Sequence, residues 1–293
     1  MKLNLHIFLS FLTFGLNAQN IETVTYAIKG NDTLGLDVYL PKNIKANEKL
    51  PTLLWIHGGG FSGGSRGGGD LVKMAEQFNS QGYAVVSISY RLLRKGTKTQ
   101  FSCECSREEK IETFKQGVID YMDAAKYLMQ NAEKYHIDRE RIIAGGSSAG
   151  AEVVLDAVYM REYFIDNLDD YSGVKFAGLF SLAGAMVNAD YITAENAVPT
   201  VMFHGTEDNL VPFATAPHHY CKPSDKGYLF LDGSSTIAKR LKDLKMSYYF
   251  NVVEGGMHEI SGIPINNLDQ ILAFFDRTVK EDNIIQTKVI KTK

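Results

Sequence analysis

The sequence is poor in several features that mark whole protein classes. Its 293 residues contain three cysteines, Cys103, Cys105 and Cys221, too few for a disulfide-dense scaffold or a multi-cysteine zinc site. His218, His219 and Cys221 share one stretch, but no second ligand cluster of zinc-like spacing accompanies them, so no metal is expected. An excess of charge of one sign is missing too. A formal net charge of −3 gives no field that would draw nucleic acid or an anionic membrane surface. No G-x-x-x-x-G-K-S/T loop occurs, which excludes that type of phosphate cradle, and no cofactor is implied. No Pro/Ser-rich linker, charge run or internal repeat divides the chain. It therefore reads as one domain over residues 19–280, followed by a loose polar tail over residues 281–293.

Long apolar runs are equally scarce, with one short exception at the start. Lys2 precedes an apolar stretch over residues 3–16, and Asn17-Ala18-Gln19 follows. A basic start, a short apolar segment and a small residue at a polar boundary make a secretory signal peptide over residues 1–18. The stretch is shorter than the roughly 20 residues of a membrane-spanning helix. No cysteine follows the cut expected after Ala18, so that site offers no lipid anchor. The expectation is export, to the periplasm or outside the cell, with no stable membrane insertion. In an oxidising compartment three cysteines allow one bridge. Cys103 and Cys105 are too close in sequence to pair without strain. Cys221 should then be one end, with Cys103 or Cys105 as the other; three free thiols are the alternative.

What the chain does contain is alternation. Residues 22–28 and 33–40 are β-prone runs either side of Lys29-Gly30-Asn31-Asp32, a hairpin signature. Apolar runs then recur at 51–56, 83–90, 141–144, 176–182, 200–203 and 248–253. Stretches of helical period lie between most of them, at 111–135, 148–163, 235–244 and 267–278. In the first, Val118, Met122, Ala125, Met129 and Ala132 fall three or four apart. The pattern predicts an α/β fold: a mostly parallel central sheet with helices on both faces and an N-terminal antiparallel hairpin. Two irregular insertions, 94–109 and 215–234, follow strands on the side where open α/β sheets bind ligands.

The chemistry concentrates in four glycine-punctuated segments. The run ending at Ala144 leads into Gly146-Ser147-Ser148-Ala149-Gly150 and then a helix, which is G-x-S-x-G in its required strand-to-helix context. Small neighbours allow the sharp turn that exposes the central hydroxyl. Ser148 is the candidate nucleophile and Ser147 its rival, which lacks the second spaced glycine. The run ending at Ile56 leads into His57-Gly58-Gly59-Gly60-Phe61, an HGGG-type loop whose bare backbone can present N–H groups to an oxyanion. Gly59, Gly60 and Ala149 are the expected donors; a plain glycine turn is the alternative, and Gly63–Gly69 beyond it reads as such a turn.

The base is found by elimination among seven histidines. His6 lies in the signal, His57 in the glycine loop, and His136 at the wrong end of the sheet. His204 reads as a turn-stabilising residue, and His218 and His219 as ordinary loop histidines. His258, in Glu254-Gly255-Gly256-Met257-His258, follows the last strand and remains. The acid should follow the strand before it, in His204-Gly205-Thr206-Glu207-Asp208; Asp208 is the choice and Glu207 the alternative. The order Ser148, Asp208, His258 is the α/β-hydrolase order. Phe61, Met186 and Phe213 are the expected substrate-binding walls, with core packing as their alternative role.

The segments HGGGF, GSSAG, HGTED with Val211-Pro212, and GGMH together resemble the carboxylesterase and hormone-sensitive-lipase-like branches of the α/β-hydrolases. Within them the chain is most similar to secreted bacterial esterases that remove acetyl or feruloyl groups from plant polysaccharides. The resemblance spans residues 21–278. The elbow reads Ser147-Ser148-Ala149-Gly150-Ala151 where many hormone-sensitive-lipase-like enzymes carry Asp-Ser-Ala-Gly-Gly, which leans toward the carboxylesterase pattern. The resemblance implies an α/β-hydrolase fold and a serine carboxylic-ester hydrolase acting through an acyl-enzyme. Short-chain acyl or feruloyl esters of carbohydrates or related alcohols are the implied substrates. A peptidase of the same fold and a catalytically inactive binding module are the competing readings.

Overall fold

The computed structural model describes residues 21–293; the signal peptide expected over residues 1–18 lies outside them. The hairpin comes first, as β1 (Ile21–Lys29) and β2 (Asp32–Tyr39). There follow β3 (Leu50–Ile56), α1 (Gly69–Ser80), β4 (Ala84–Ile88), α2 (Arg107–Gln130), β5 (Ile137–Ser147), α3 (Ala149–Tyr159) and a single turn, α4 (Arg161–Phe164). The second half contains β6 (Gly178–Leu182), β7 (Ala185–Met186), β8 (Thr200–Gly205), β9 (Thr215–Pro217), β10 (Phe230–Gly233), α5 (Ser234–Asp243), β11 (Tyr248–Glu254), α6 (Leu268–Phe275) and β12 (Gln286–Thr292). Nine strands form the main sheet in the order β1-β2-β4-β3-β5-β6-β8-β11-β12. The β1–β2 and β2–β4 pairs are antiparallel, and the pairs from β4 across to β12 are parallel.

Both faces of this sheet are covered, which explains why its strands read as continuous apolar runs. Leu54, Ile56, Val86, Ile142 and Ala144 point to one side, into a core shared with α2, α3 and α5. Leu53, Trp55, Val85 and Ile143 point to the other, against α1 and α6. Each buried Val, Leu or Ile among them contributes roughly 1.5–3 kcal/mol by leaving water. A strand slipped by one residue would exchange its two sets of partners at once.

Four features depart from the sequence reading. Helix α1 starts at Gly69, the last residue of a stretch that reads as a plain glycine-rich turn. Its Leu71, Met74, Ala75 and Phe78 carry a helical period, but Gly68 at its N-cap offers no side-chain cap to signal a start. Helix α2 begins at Arg107, inside the first insertion, because Ser106 and Glu109 form a reciprocal capping box. The second insertion is partly ordered: β9 and β10 pair with each other, and β10 also with β7, in a small antiparallel sheet. Finally, residues 281–293 are not a loose tail. They supply β12, paired with β11 from Tyr248↔Gln286 to Glu254↔Thr292. Its side chains are half-buried at best, so the main-chain ladder holds it and no apolar pattern announces it.

The two insertions meet over the carboxyl ends of the strands between their parents, β4 and β8. Cys103 is bonded to Cys221, with Cα atoms 5.4 Å apart, and Cys105 is free and buried. Main-chain hydrogen bonds reinforce the junction, from Gly227 N–H to the Cys103 carbonyl (2.9 Å) and from Arg107 N–H to the Lys226 carbonyl (2.9 Å).

Candidate active site

The junction of β5 and α3 turns at Ser148, which adopts φ 51° and ψ −125°, a conformation that L-residues avoid unless the surroundings enforce it. The enforcement is visible. A Cβ on Gly146 would lie 2.4 Å from the Gly150 carbonyl oxygen, and one on Gly150 would lie 2.5 Å from that of Ile56. The two spaced glycines therefore let β5, α3 and the end of β3 come together at van der Waals distance. Ser148 N–H donates to the Leu182 carbonyl (2.8 Å), pinning the turn to β6. Ser147, the rival nucleophile, spends its hydroxyl on the Ser261 carbonyl (2.7 Å).

Ser148 Oγ lies 2.8 Å from His258 Nε2, and His258 Nδ1 lies 2.8 Å from Asp208 Oδ2. The structure thus brings the three sequence candidates into one hydrogen-bonded chain, each contributed by the loop after a different strand. Glu207 is not part of this chain. Asp208 is fixed from both sides: Oδ1 accepts the N–H groups of Leu210 and Val211, both at 2.9 Å. Oδ2 also approaches His204 Nε2 at 3.3 Å. Burial works against charge on Asp208, but hydrogen bonds from His204 and His258 and their favourable electrostatics hold its carboxyl well below the usual carboxylate range.

His204, read from sequence as a turn residue, is a fully buried neighbour of the acid. Its Nδ1 meets Ser234 Oγ at 2.8 Å and its Nε2 the Val211 carbonyl at 3.2 Å. The tautomer that satisfies these contacts keeps a proton on Nε2, facing Asp208.

The loop after β3 runs along the other side of Ser148. A Cβ on Gly58 would stand 3.0 Å from Ser148 Cβ, so only a bare backbone approaches this closely. Gly59 (φ 113°) and Gly60 (φ 58°) have conformations open to glycine. The turn is closed by Ser62 and Gly63 N–H donating to the Gly59 carbonyl, both at 3.1 Å. Among the described residues, neither Gly59 nor Gly60 N–H has a hydrogen-bond acceptor. Ala149 is the first residue of α3, where N–H groups lack intrahelical partners and the helix dipole is positive. All three expected donors border one cleft with Ser148 and His258, of about 630 Å³.

The expected walls are not its walls. Phe61, Met186 and Phe213 are absent from the lining of this cleft. Phe61, at φ 56°, turns inward and packs on Phe101, Phe114 and Tyr90. Met186 is fully buried in β7, and Phe213 stacks on Phe250 with centroids 5.8 Å apart. The walls come from elsewhere: Phe101 from the first insertion, His218 and His219 from the second, and Leu210 from the loop between β8 and β9. His218 and His219 are not ordinary loop histidines. His218 is buried, the two rings lie 4.2 Å apart, and burial pushes the His219 imidazole down to about 2. A zinc role for this loop loses its thiolate, because the Cys221 sulfur is in the disulfide.

Glu152 is a site residue that the sequence motifs do not single out. It sits one turn into α3, is 1% exposed and borders the cleft. Burial pushes its carboxyl up to about 8, against the opposing pull of His258 and Lys110. The signal for it is one acid in the otherwise apolar start of the run Ala149–Tyr159.

Comparison with known proteins fits this geometry. The profile of a family described as BD-FAE matches residues 36–185, just over half of the chain. Gut esterase 1 of Caenorhabditis elegans is 33% identical over 171 residues, 58% of this chain and 27% of that protein. Secreted triacylglycerol lipase LIP1 of Gibberella zeae is 29% identical over 170 residues, 57% of this chain and 27% of that one. The chain thus aligns with about a quarter of the length of these curated relatives. Among solved structures, Thermogutta terrifontis esterase 2 phosphorylated by paraoxon superposes with a TM-score of 0.63 at 18% identity, covering 92% of this chain and 96% of that one. That is the likeness of an α/β-hydrolase fold.

Proposed function

The chain belongs to the BD-FAE family of α/β-hydrolases, and from that premise we propose that it is a serine carboxylic-ester hydrolase working through an acyl-enzyme. The observation that carries the reading is the hydrogen-bonded chain Ser148–His258–Asp208 beneath a glycine loop with unspent N–H groups. His258 accepts the Ser148 proton as Oγ adds to the ester carbonyl. Asp208 holds the imidazole with its proton on Nδ1 and stabilises the imidazolium. Gly59, Gly60 and Ala149 N–H face the developing oxyanion, each such donor contributing about 3 kcal/mol in comparable sites. His258 then gives its proton to the departing alkoxide, and water, activated by the same base, releases the acid from Ser148.

The substrates we assign are short-chain acyl or aromatic acyl esters of carbohydrates or similar alcohols. A cleft of about 630 Å³ with an aromatic wall at Phe101 has room for such a group. Export to the periplasm or beyond is part of the proposal, supported by the composition of residues 1–18 and by the Cys103–Cys221 bridge. Among the described residues no helix is long and apolar enough to cross a membrane.

The test is Ser148→Ala beside Ser147→Ala, assayed with nitrophenyl acetate. Turnover should vanish in the first and persist in the second; the reverse pattern moves the nucleophile by one residue.

A further inference from the structure

Glu152 and His218 present a second polar pair in the same cleft, one that the ester-cleaving machinery does not use. Glu152 Oε1 and His218 Nε2 approach to 3.2 Å, yet their relative orientation is not that of a hydrogen bond. Glu152 Oε1 and both ring nitrogens of His218 are buried without any hydrogen-bond partner among the described residues. Both residues are almost wholly buried, and both border the cleft. Buried polar atoms are satisfied in the great majority of cases; three unsatisfied atoms on two residues that border one cavity mark the place where a ligand supplies the partner.

The position is defined by the helix. Glu152 N–H donates to the Ser148 carbonyl at 3.0 Å, which places Glu152 one turn of α3 (~5 Å) beyond the nucleophile, and both residues border the cleft. The aromatic edge of the site is close by, since the Phe101 ring centroid lies 5.2 Å from that of His218. We infer that Glu152 and His218 form a hydroxyl-recognising subsite, one helical turn from Ser148, that selects esters carrying a hydroxyl-bearing group at that position. The inference rests on the esterase reading above and specifies its substrate.

The electrostatics favour a hydroxyl over a charged group. Burial raises the Glu152 carboxyl and pushes the His218 imidazole well below its ordinary value, which favours the neutral form of each. A neutral acid and a neutral imidazole offer one donor and one acceptor each. A hydroxyl, itself a donor and an acceptor, completes such a pair, whereas an ammonium group would require ionised Glu152. Lys110 is the nearby cation, fully buried and donating to the Gly227 carbonyl at 3.0 Å, and it opposes a second positive charge.

Two substrate pairs that differ only by a hydroxyl separate the two sources of that group. Nitrophenyl 4-hydroxycinnamate against nitrophenyl cinnamate tests the acyl part, and a monoacetylated hexose against cyclohexyl acetate tests the alcohol part. In the wild-type enzyme kcat/KM should favour the hydroxylated member of one pair by about 30-fold or more, and that pair identifies the side bound. Glu152→Leu should shrink the ratio below about 3-fold, while Glu152→Gln, which still donates and accepts, retains part of it. If Glu152→Leu does not fold, His218→Phe must reduce the same ratio. A wild-type ratio near one in both pairs overturns the inference, as does a ratio untouched by these variants, or stronger selection for an amino-substituted analogue. Nitrophenyl acetate hydrolysis dependent on Ser148, measured alongside, shows whether only the subsite has failed or the esterase reading with it.

Discussion

Replacing Asp208 by asparagine changes one atom and separates two roles that the structure assigns to this carboxylate. Oδ1 accepts two backbone N–H bonds, from Leu210 and Val211, and the asparagine carbonyl oxygen can take that place. The NH2 group is then forced into the position of Oδ2, facing His258 Nδ1 at 2.8 Å and His204 Nε2 at 3.3 Å. A donor there drives His258 into the tautomer with its proton on Nε2, aimed at Ser148, where it cannot act as base. The expected loss in kcat/KM is about 10⁴-fold. Stability should fall by only about 1–2 kcal/mol, because His204 Nε2 keeps the Val211 carbonyl at 3.2 Å as an acceptor.

The variant should also change the pH dependence of stability. Folding lowers the Asp208 pKa, so its carboxylate stabilises the native state at pH values above the ordinary carboxylate range near 4. That contribution is lost as pH falls through this range toward the folded value. The substituted amide does not titrate, so the difference in stability between wild type and Asp208→Asn should be largest near neutrality and shrink in acid. Nitrophenyl ester kinetics and urea unfolding between pH 3 and 7 measure both effects. A loss of less than about 10-fold, or a larger loss in Glu207→Gln, would refute the assignment of the acid.

Two further outcomes come from the covalent link and from close backbone contacts. Thiol titration of denatured, unreduced protein should find one reactive group, Cys105, and three would eliminate the bridge. Cys221→Ser should lower stability by about 2–5 kcal/mol, given a sequence separation of 118 residues; an unchanged urea midpoint would show that the bridge adds nothing to the fold. Gly150→Ala places a Cβ 2.5 Å from the Ile56 carbonyl oxygen and 2.6 Å from that of His57. It should cost about 1–3 kcal/mol and displace Ser148; wild-type activity and melting temperature in this variant would contradict the packing argument.

How much of the molecule is legible in its sequence depends on how local the cause is. The elbow around Ser148, the loop of Gly58–Gly60, and the residues Asp208 and His258 each sit at the end of a strand that an apolar run announces. Their geometry is set within a few residues. The walls of the cleft are not legible, because Phe101, His218 and His219 come from two loops distant in sequence that meet at the Cys103–Cys221 bridge. Phe61 looks like a wall from its place beside the glycine loop, but a left-handed backbone turns it into the core. Strand β12 is hidden for the opposite reason, since a polar edge strand held by main-chain bonds carries no hydrophobic period. Glu152 is hidden inside a mostly apolar helix that carries a second buried acid, Asp156.

The central claim is that Ser148 is the nucleophile, and covalent trapping tests it most directly. Thermogutta terrifontis esterase 2, whose fold this chain shares, has been captured phosphorylated by paraoxon. Treating this protein with paraoxon, followed by peptide mapping, should place a single diethylphosphoryl group on Ser148, with loss of ester hydrolysis in proportion to the label. Label on Ser147 or another side chain, or full labelling of Ser148 with hydrolysis intact, would contradict the account.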